Sequence, residues 1–512
     1  MALGRKLLPA ENPVTAPERF AWLVRAIRSS SPDPDIRSTE TFATKLNALL
    51  REHLQPATIN RLETGGLSFN IERCKAYEVV LGLPDCQLVD AYIWIFRQRG
   101  STPRTAWAVI KEATAAEIEL LVMLAREEPL TPLQWLHLAY LYKNRPELIT
   151  ESHRLKELFL GGIIRDMGKY YERDQRVMRE ALITVGSDLI PRIVEAVTAE
   201  PIRFFNAGEA LGFIPGAGAW DALVELHASV PDGWAAPGIL ESLLRKVDTE
   251  SPAHLADSSL LGPLRASTVE ALEQTDMLFV ARESALAVVR RIGSSLTASE
   301  TRRVRSLRPD LMQLDVIPSS VTQREIIDDL SKRFGRIVAR DDYRDHIPAH
   351  VPGLARIVHD AVFAQDRSER VLNGVLLTPW KGSSAITDAI GGALPHVPAS
   401  DYGTQRSMVR FATKLGTPNL NGYLRRLAGS SDIEPNTSVS IAWALGAGVE
   451  TEDENVLRAM YSSAKSVEVK RAVCTAGLRR GMTELIGAIS RDHNGTVARE
   501  AMIALSILDR RQ

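Results

Sequence analysis

The amino-acid sequence predicts an all-α fold, and three observations carry that expectation. Apolar residues recur at three- and four-residue spacing: Phe20, Leu23, Val24 and Ile27; Phe42, Leu46, Leu49 and Leu50; Leu88, Tyr92, Ile95 and Phe96. Alternating β-branched runs, the mark of half-buried strands, are scarce. Clusters of Pro, Gly and Ser punctuate the periodic stretches at 29–34, 231–238, 248–263, 378–384 and 395–403. The joints near 248–263 and 378–403 suggest a division into residues 1–100, 101–260, 261–400 and 401–512.

Composition narrows the class further. At about 150 residues per domain, 512 residues suggest roughly three domains, enough to bury a large core without disulfide or metal staples. Hydrophobic residues at 45% and charged residues at 24% describe a globular chain rather than a disordered one. Lys and Arg number 62 against 63 Asp and Glu, which excludes a wholly basic nucleic-acid coat protein but leaves room for a small basic face. The three cysteines, Cys74, Cys86 and Cys474, include no Cys-x-x-Cys and predict buried thiols in a reducing, cytoplasmic compartment. Leu7 and Leu8 are too short an apolar stretch for a secretory signal, and Ala91 to Phe96 falls far short of the ~20 residues that span a bilayer. No membrane association is expected.

The first hundred residues hold the most informative pattern. Ser38 is placed to cap a helix containing Phe42-Ala43-Thr44-Lys45-Leu46. Leu54-Gln55-Pro56-Ala57-Thr58-Ile59-Asn60-Arg61-Leu62-Glu63-Thr64-Gly65 then reads as a short helix with a polar start and a glycine stop. A further helix follows through Ile71 and ends at Leu81-Gly82-Leu83. Together these resemble the second, third and fourth helices of the XRE family, the lambda-repressor and Cro-like helix-turn-helix domains. Leu54, Thr58, Ile59, Leu62, Glu63 and Gly65 fall on that family's third-helix positions. Two departures stand out: the first loop, 29–37, is long, and an extra segment, 48–53, precedes the recognition helix.

The resemblance implies a DNA reader. In such domains the second helix crosses the phosphate backbone and the start of the third enters the major groove, where each base pair shows its own donor and acceptor pattern. Ile59 and Leu62 are expected to face the core, leaving Gln55, Ala57, Thr58, Asn60 and Arg61 outward. Gln55 suits adenine, Ala57 or Thr58 a thymine methyl, and Arg61 guanine or phosphate. Thr39 is a candidate to buttress Gln55 or bind a phosphate, and Lys45 is a candidate backbone contact. Residues 16–99 carry 11 Lys and Arg against 10 Asp and Glu, so one copy has few phosphate contacts to offer. A homodimer on an inverted repeat of double-stranded DNA is therefore expected. The same near-neutrality leaves open a helical head that serves only protein contacts.

Internal similarity marks the C-terminal part. Val469-Lys470-Arg471-Ala472-Val473-Cys474-Thr475-Ala476 resembles Val497-Ala498-Arg499-Glu500-Ala501-Met502-Ile503-Ala504, 28 residues further on. Ala210-Leu211-Gly212 and Ala444-Leu445-Gly446 share an ending whose small residues let helices approach closely. The pattern is similar to HEAT repeats, implying a long α-solenoid behind the N-terminal helix-turn-helix domain. A plain bundle of alanine-rich helices is the alternative.

The remaining clusters suggest little chemistry. Arg290, Arg291, Arg302, Arg303, Arg305 and Arg308 could form a second phosphate-contacting surface, or the solvated face of a helix pair meeting Asp328 and Asp329. Asp341, Asp342, Asp345, His346, His350 and His359 form a His- and Asp-rich patch, but Pro348 interrupts the helical spacing that a metal site would use. Ser462 and Lys465 lack the companion motifs of a Ser-x-x-Lys hydrolase, and Gly216-Ala217-Gly218 lacks the strand and third glycine of a dinucleotide fingerprint. No metal, cofactor or catalysis is expected. The expected function is sequence-specific transcriptional regulation, with the helical array dimerising or receiving a peptide, protein or small-molecule effector. The rivals are an α-solenoid interaction scaffold and a HEAT-type enzyme using Asp341, His346, His350 and His359.

Overall fold

The computed structural model describes residues 15–50, 52–98, 102–105, 114–168, 175–229, 235–249, 261–273, 279–292, 296–307, 320–340, 347, 351, 353–364, 367–397, 401–415, 421–429, 433, 435–447 and 451–509. Among these residues the regular elements are helices, and the all-α expectation holds. None of the described helices is long and apolar enough to cross a membrane. The chain groups into two compact units, one of Met1–Arg104 with Val316–Gln512 and the other of Thr105–Asp315.

The first unit begins with six helices: α1 (Ala16–Ser29), α2 (Pro34–Arg37), α3 (Thr39–Asn47), α4 (Pro56–Glu63), α5 (Ile71–Leu81) and α6 (Gln87–Gln98). Local chemistry sets their ends. Thr15 and Glu18 form a capping box at α1, Ser38 caps α3 through the Thr41 amide, and Asn70 caps α5 through the Arg73 amide. The apolar stripe of α1 is buried at Phe20, Leu23, Val24 and Ile27, as its spacing predicts. An aromatic cluster fills the centre: Phe20 packs edge-on to Phe69 at 5.0 Å, Phe69 on Tyr77 at 5.3 Å, and Tyr77 on Phe42 at 5.0 Å.

The second unit contains α7 (Ala115–Ala125), α8 (Pro132–Asn144), α9 (Glu147–Thr150), α10 (His153–Met167), α11 (Gln175–Val185), α12 (Ile190–Ala199), α13 (Pro201–Leu211), α14 (Ala217–Ser229), α15 (Ala235–Thr249), α16 (Leu261–Glu273), α17 (Phe279–Arg291) and α18 (Ala298–Leu307). Its helices stack in two rows: α8, α11, α13, α15 and α17 follow one another in one, α10, α12, α14, α16 and α18 in the other. The first unit resumes with α19 (Ser320–Val338), α20 (Leu354–Phe363), α21 (Arg367–Leu377), α22 (Ser383–Ala393), α23 (Tyr402–Leu415), α24 (Asn421–Ala428), α25 (Pro435–Ala447), α26 (Thr451–Ser463), α27 (Val467–Arg480), α28 (Thr483–Ile489) and α29 (Gly495–Asp509). Here α21, α23, α25, α27 and α29 form a similar row.

Two devices hold neighbours in a row together. One is close approach at a missing side chain. A Cβ on Gly212 would lie 2.8 Å from the Ser242 Cα, and one on Gly446 would lie 2.7 Å from the Ala476 Cα. The two Ala-Leu-Gly endings thus do the same work, at α13 on α15 and at α25 on α27. The other device is an arginine reaching a carboxylate about one helical pair away. Arg425 reaches the buried Asp453 at 2.7 Å, and Arg471, fully buried, reaches Glu500 at 2.9 and 2.5 Å. Arg179 pairs with Glu209 in the same way in the second unit. The repeat-related residues share a register, since Val469 and Val497, Val473 and Ala501, and Ala476 and Ala504 are all buried.

The six-helix head is not free-standing. Its α1 and α6 pack on α21. Arg19, only 2% exposed, reaches Asp360 on α20 at 2.8 Å and Glu369 on α21 at 2.9 Å, and also bonds Asn373. Trp22 meets the buried Trp380 edge-on at 5.9 Å, and the Trp380 indole N–H donates to the Ser30 hydroxyl at 3.2 Å.

Candidate nucleic-acid interface

The surface of interest starts at α4. Pro56 sits at its first position, where a missing N–H leaves no partner unsatisfied. Gln55 precedes it in an extended conformation and does not cap the helix with its side chain. No acidic residue occupies the first turn, so the positive end of the helix dipole lacks a compensating charge there. Ile59, Leu62 and Glu63 are buried; Gln55, Ala57, Asn60 and Arg61 are exposed, and Thr58 is half-buried. Among the described residues, the side chains of Gln55, Asn60 and Arg61 make no hydrogen bond or ion pair. Four of the five residues assigned outward from the sequence are exposed, and the fifth lies at the margin.

The helix is held from behind by two ion pairs that the sequence did not announce. Arg28 donates to both Glu63 oxygens, at 2.6 and 2.7 Å, fixing the end of α4 against the end of α1. Arg73 on α5 donates to both oxygens of Glu52, at 2.6 Å each, and to the Ser68 carbonyl at 3.1 Å. The Glu52 pair pins the extra segment before α4. That segment is also closed at its base by Asn47, whose side chain accepts the Leu54 N–H at 2.7 Å and donates to the Leu54 carbonyl at 3.0 Å. The amide group thus stands in for a strand neighbour, and the long connection ends where a short turn would. Asn47 was the one signal available, since its side chain can mimic a backbone peptide.

The two residues assigned to α3 are placed less favourably. Thr39 is the first residue of that helix and half-buried, and no hydrogen bond joins it to Gln55 among the described residues. Lys45 is engaged by acids on the preceding turn, Asp33 at 3.3 Å and Asp35 at 3.9 Å. The backbone N–H of Asp35, with the Lys45 ammonium, holds the Asp33 carboxyl below its ordinary range. Arg19, Arg28 and Arg73 are likewise paired, so among the described residues the exposed cation on α4 is Arg61, with Arg25, Arg37 and Lys75 exposed elsewhere on the head.

The arginine stretch lies on α18. Arg302, Arg303 and Arg305 are exposed around the buried Val304; Arg303 pairs with Glu273 at 2.8 Å, while Arg302 donates to the Ala298 carbonyl of its own helix. Arg265 beside Glu300 pulls that carboxyl down to about 2. Arg290 and Arg291, at the end of α17, are also exposed, and Arg308 lies outside the described residues. Asp329 pairs with Arg333 on its own helix.

Of the His- and Asp-rich patch, Asp341, Asp342, Asp345, His346 and His350 lie outside the described residues. His359 has both ring nitrogens in contact, Nδ1 with Asp360 and Nε2 with Gln323, each at 3.1 Å. No group of three or more metal-ligating side chains occurs among the described residues. The Ser462 hydroxyl bonds the Arg458 carbonyl of its own helix rather than Lys465, and Gly216 opens a helix. Cys74, Cys86 and Cys474 are buried free thiols, and burial pushes Cys474 up to about 12.

Comparison with protein-family models, curated proteins and solved structures found no match in any of the three.

Proposed function

We propose that this chain is a sequence-specific transcriptional regulator of the XRE type, reading double-stranded DNA through the start of α4. The observation that carries the reading is the division of α4 itself. One side is locked by Ile59, Leu62 and the Arg28–Glu63 pair, while Gln55, Asn60 and Arg61 stand outward with uncommitted side chains. Amide and guanidinium groups fixed on a rigid helix are what reading base edges requires. Ala57 and Thr58 supply the small apolar surface that meets a thymine methyl. Thr39, Lys45 and, on the second unit, Arg302, Arg303 and Arg305 are the proposed phosphate contacts. The stacked helices that follow the head along the chain are HEAT-like in this reading, and provide the dimer contacts and the effector site. Three buried thiols suit a reducing cytoplasm.

Selection of bound fragments from a random DNA pool, followed by a salt titration on the selected site, tests the assignment. An enriched inverted repeat, bound by a dimer in light scattering, is the expected result. No enrichment, with equally weak binding to every sequence, rejects it. The second reading, a protein-interaction scaffold, draws on one observation: Lys45, Arg28 and Arg73 are all committed to carboxylates, which withdraws three of the head's described cations from phosphate contact.

A further inference from the structure

Helices α19, α20 and α22, with Val351 and Gly353 just before α20, line a pocket of about 180 Å³ that is open to solvent on one side and floored by Leu330, Phe334, Leu354, Val358, Ile386 and Ala389, all of them buried. Ala355 and Ser331 border it from exposed positions, and Ser331 brings the one polar side chain among its described lining residues. An apolar void of about 150 Å³ is large enough to admit benzene, and the volume here is similar. Its wall atoms lack contact partners on one side, and a ring of matching size restores them.

The floor of this cavity leads toward the head. The Phe334 ring lies 6.0 Å from Trp380, centroid to centroid. Trp380 in turn meets Trp22 of α1 at 5.9 Å and donates its indole N–H to Ser30 at the end of that helix. Two residues before Ser30 is Arg28, whose guanidinium holds α4 through Glu63. Phe334 is therefore joined to α1 by packed aromatic rings, and α1 to α4 by the Arg28–Glu63 ion pair.

We propose that the cavity binds one small, largely apolar ring compound of benzene or phenol size, and that Phe334 and Trp380 report its occupancy to α1. The proposal deepens the regulator reading by supplying its effector site and rests on that reading for its purpose. Occupancy, however, is measured without DNA, so either can fail while the other stands.

The test uses the full chain labelled with 5-fluorotryptophan, the Trp380 resonance being assigned with Trp380→Phe. Toluene and phenol are titrated in turn, with heat and fluorine spectra recorded. One-to-one saturable binding that shifts the Trp380 resonance is expected. Ala389→Leu fills the cavity from its floor and Ala355→Phe covers it from outside. Each should weaken binding at least about tenfold, and because they act from opposite sides a folding defect in one leaves the other informative. The proposal is overturned if neither compound binds up to its solubility, if binding is unchanged in both variants, or if saturation leaves the Trp380 resonance unmoved.

Discussion

The guanidinium of Arg28 and the carboxylate of Glu63 face each other edge to edge, with two parallel hydrogen bonds of 2.6 and 2.7 Å, in the interior of the head. Arg28 also donates to the Ile36 and Arg37 carbonyls and lies over the Phe42 ring, 5.6 Å from its centroid. One side chain thus ties α1, α2, α3 and α4 together. A buried pair of this geometry gains little over a hydrophobic pair of the same shape, but losing one partner strands a charge. Its value is in fixing how α4 sits.

Glu63→Ala should therefore cost about 3–5 kcal/mol of head stability, because Arg28 is left buried without its partner. Replacing both residues with apolar ones, Arg28→Met with Glu63→Leu, should recover much of that loss. Hydrogen exchange of the α4 amides reads the effect locally. Unchanged α4 exchange in Glu63→Ala would show that the pair does not hold the helix.

The base-reading assignment separates from the phosphate one by salt and by sequence. Gln55→Ala should cost roughly 1–3 kcal/mol on the selected site and relax preference at one base pair. Lys45→Ala should weaken all sequences alike. Since Asp33 and Asp35 now engage Lys45, Asp33→Asn should raise affinity on every sequence by releasing it. Equal loss on specific and random DNA for Gln55→Ala would remove that residue from the reading set.

Arg302 and Arg305 offer a cleaner test of the second surface than the full triplet, because Arg303 is already paired with Glu273. Arg302→Glu with Arg305→Glu should lower DNA affinity and flatten its salt dependence, as fewer counterions are released. Wild-type affinity and slope in that variant would leave α18 as a solvated helix face.

Local signals in the sequence proved reliable where backbone chemistry is local. Ser38 and Gly82 mark helix ends because each satisfies or bends the chain beside it. Periodicity found the buried face of α1 for the same reason, but it carried the stripe of α3 too far, since Leu49 lies past the end of that helix and is exposed. What it missed depends on residues far apart. Arg19 lies on the apolar side of α1 and reaches Asp360 and Glu369, more than three hundred positions away. A charge on an apolar stripe was visible, but periodicity names no partner. Lys45 is the opposite case: its type suggested phosphate, and only the fold shows the nearby acids.

That docking makes a prediction about the isolated head. Residues 1–100 alone would expose Trp22 and leave Arg19 without Asp360, Glu369 and Asn373. Its urea midpoint should fall below that of the same helices in the full chain, followed by exchange of the α1 amides. Equal protection in both would mean that the α1–α21 packing adds no stability.

Acid should loosen the second unit through His227. This histidine is 1% exposed on α14; its Nε2 lies 3.5 Å from the Thr268 hydroxyl, which already donates to the Leu264 carbonyl, and its Nδ1 has no hydrogen-bond partner among the described residues. Burial lowers its pKa from 6.5 to about 4. The unfolded chain therefore takes up a proton that the folded one refuses. Stability from this group is fully present above pH 6.5 and is lost as pH falls toward 4, because ν_U exceeds ν_N in that window. Between pH 7 and 5 the loss should be about 2 kcal/mol, from 1.4 kcal/mol per pKa unit. His227→Leu removes the titration, so the difference between it and wild type isolates this histidine from the carboxylates that also titrate on the way down. Urea unfolding at both pH values, read through exchange of the α14 and α16 amides, measures it. A wild-type curve that shifts no more than the His227→Leu curve would mean that the imidazole is hydrated in the folded state, and the buried position would have to be reconsidered.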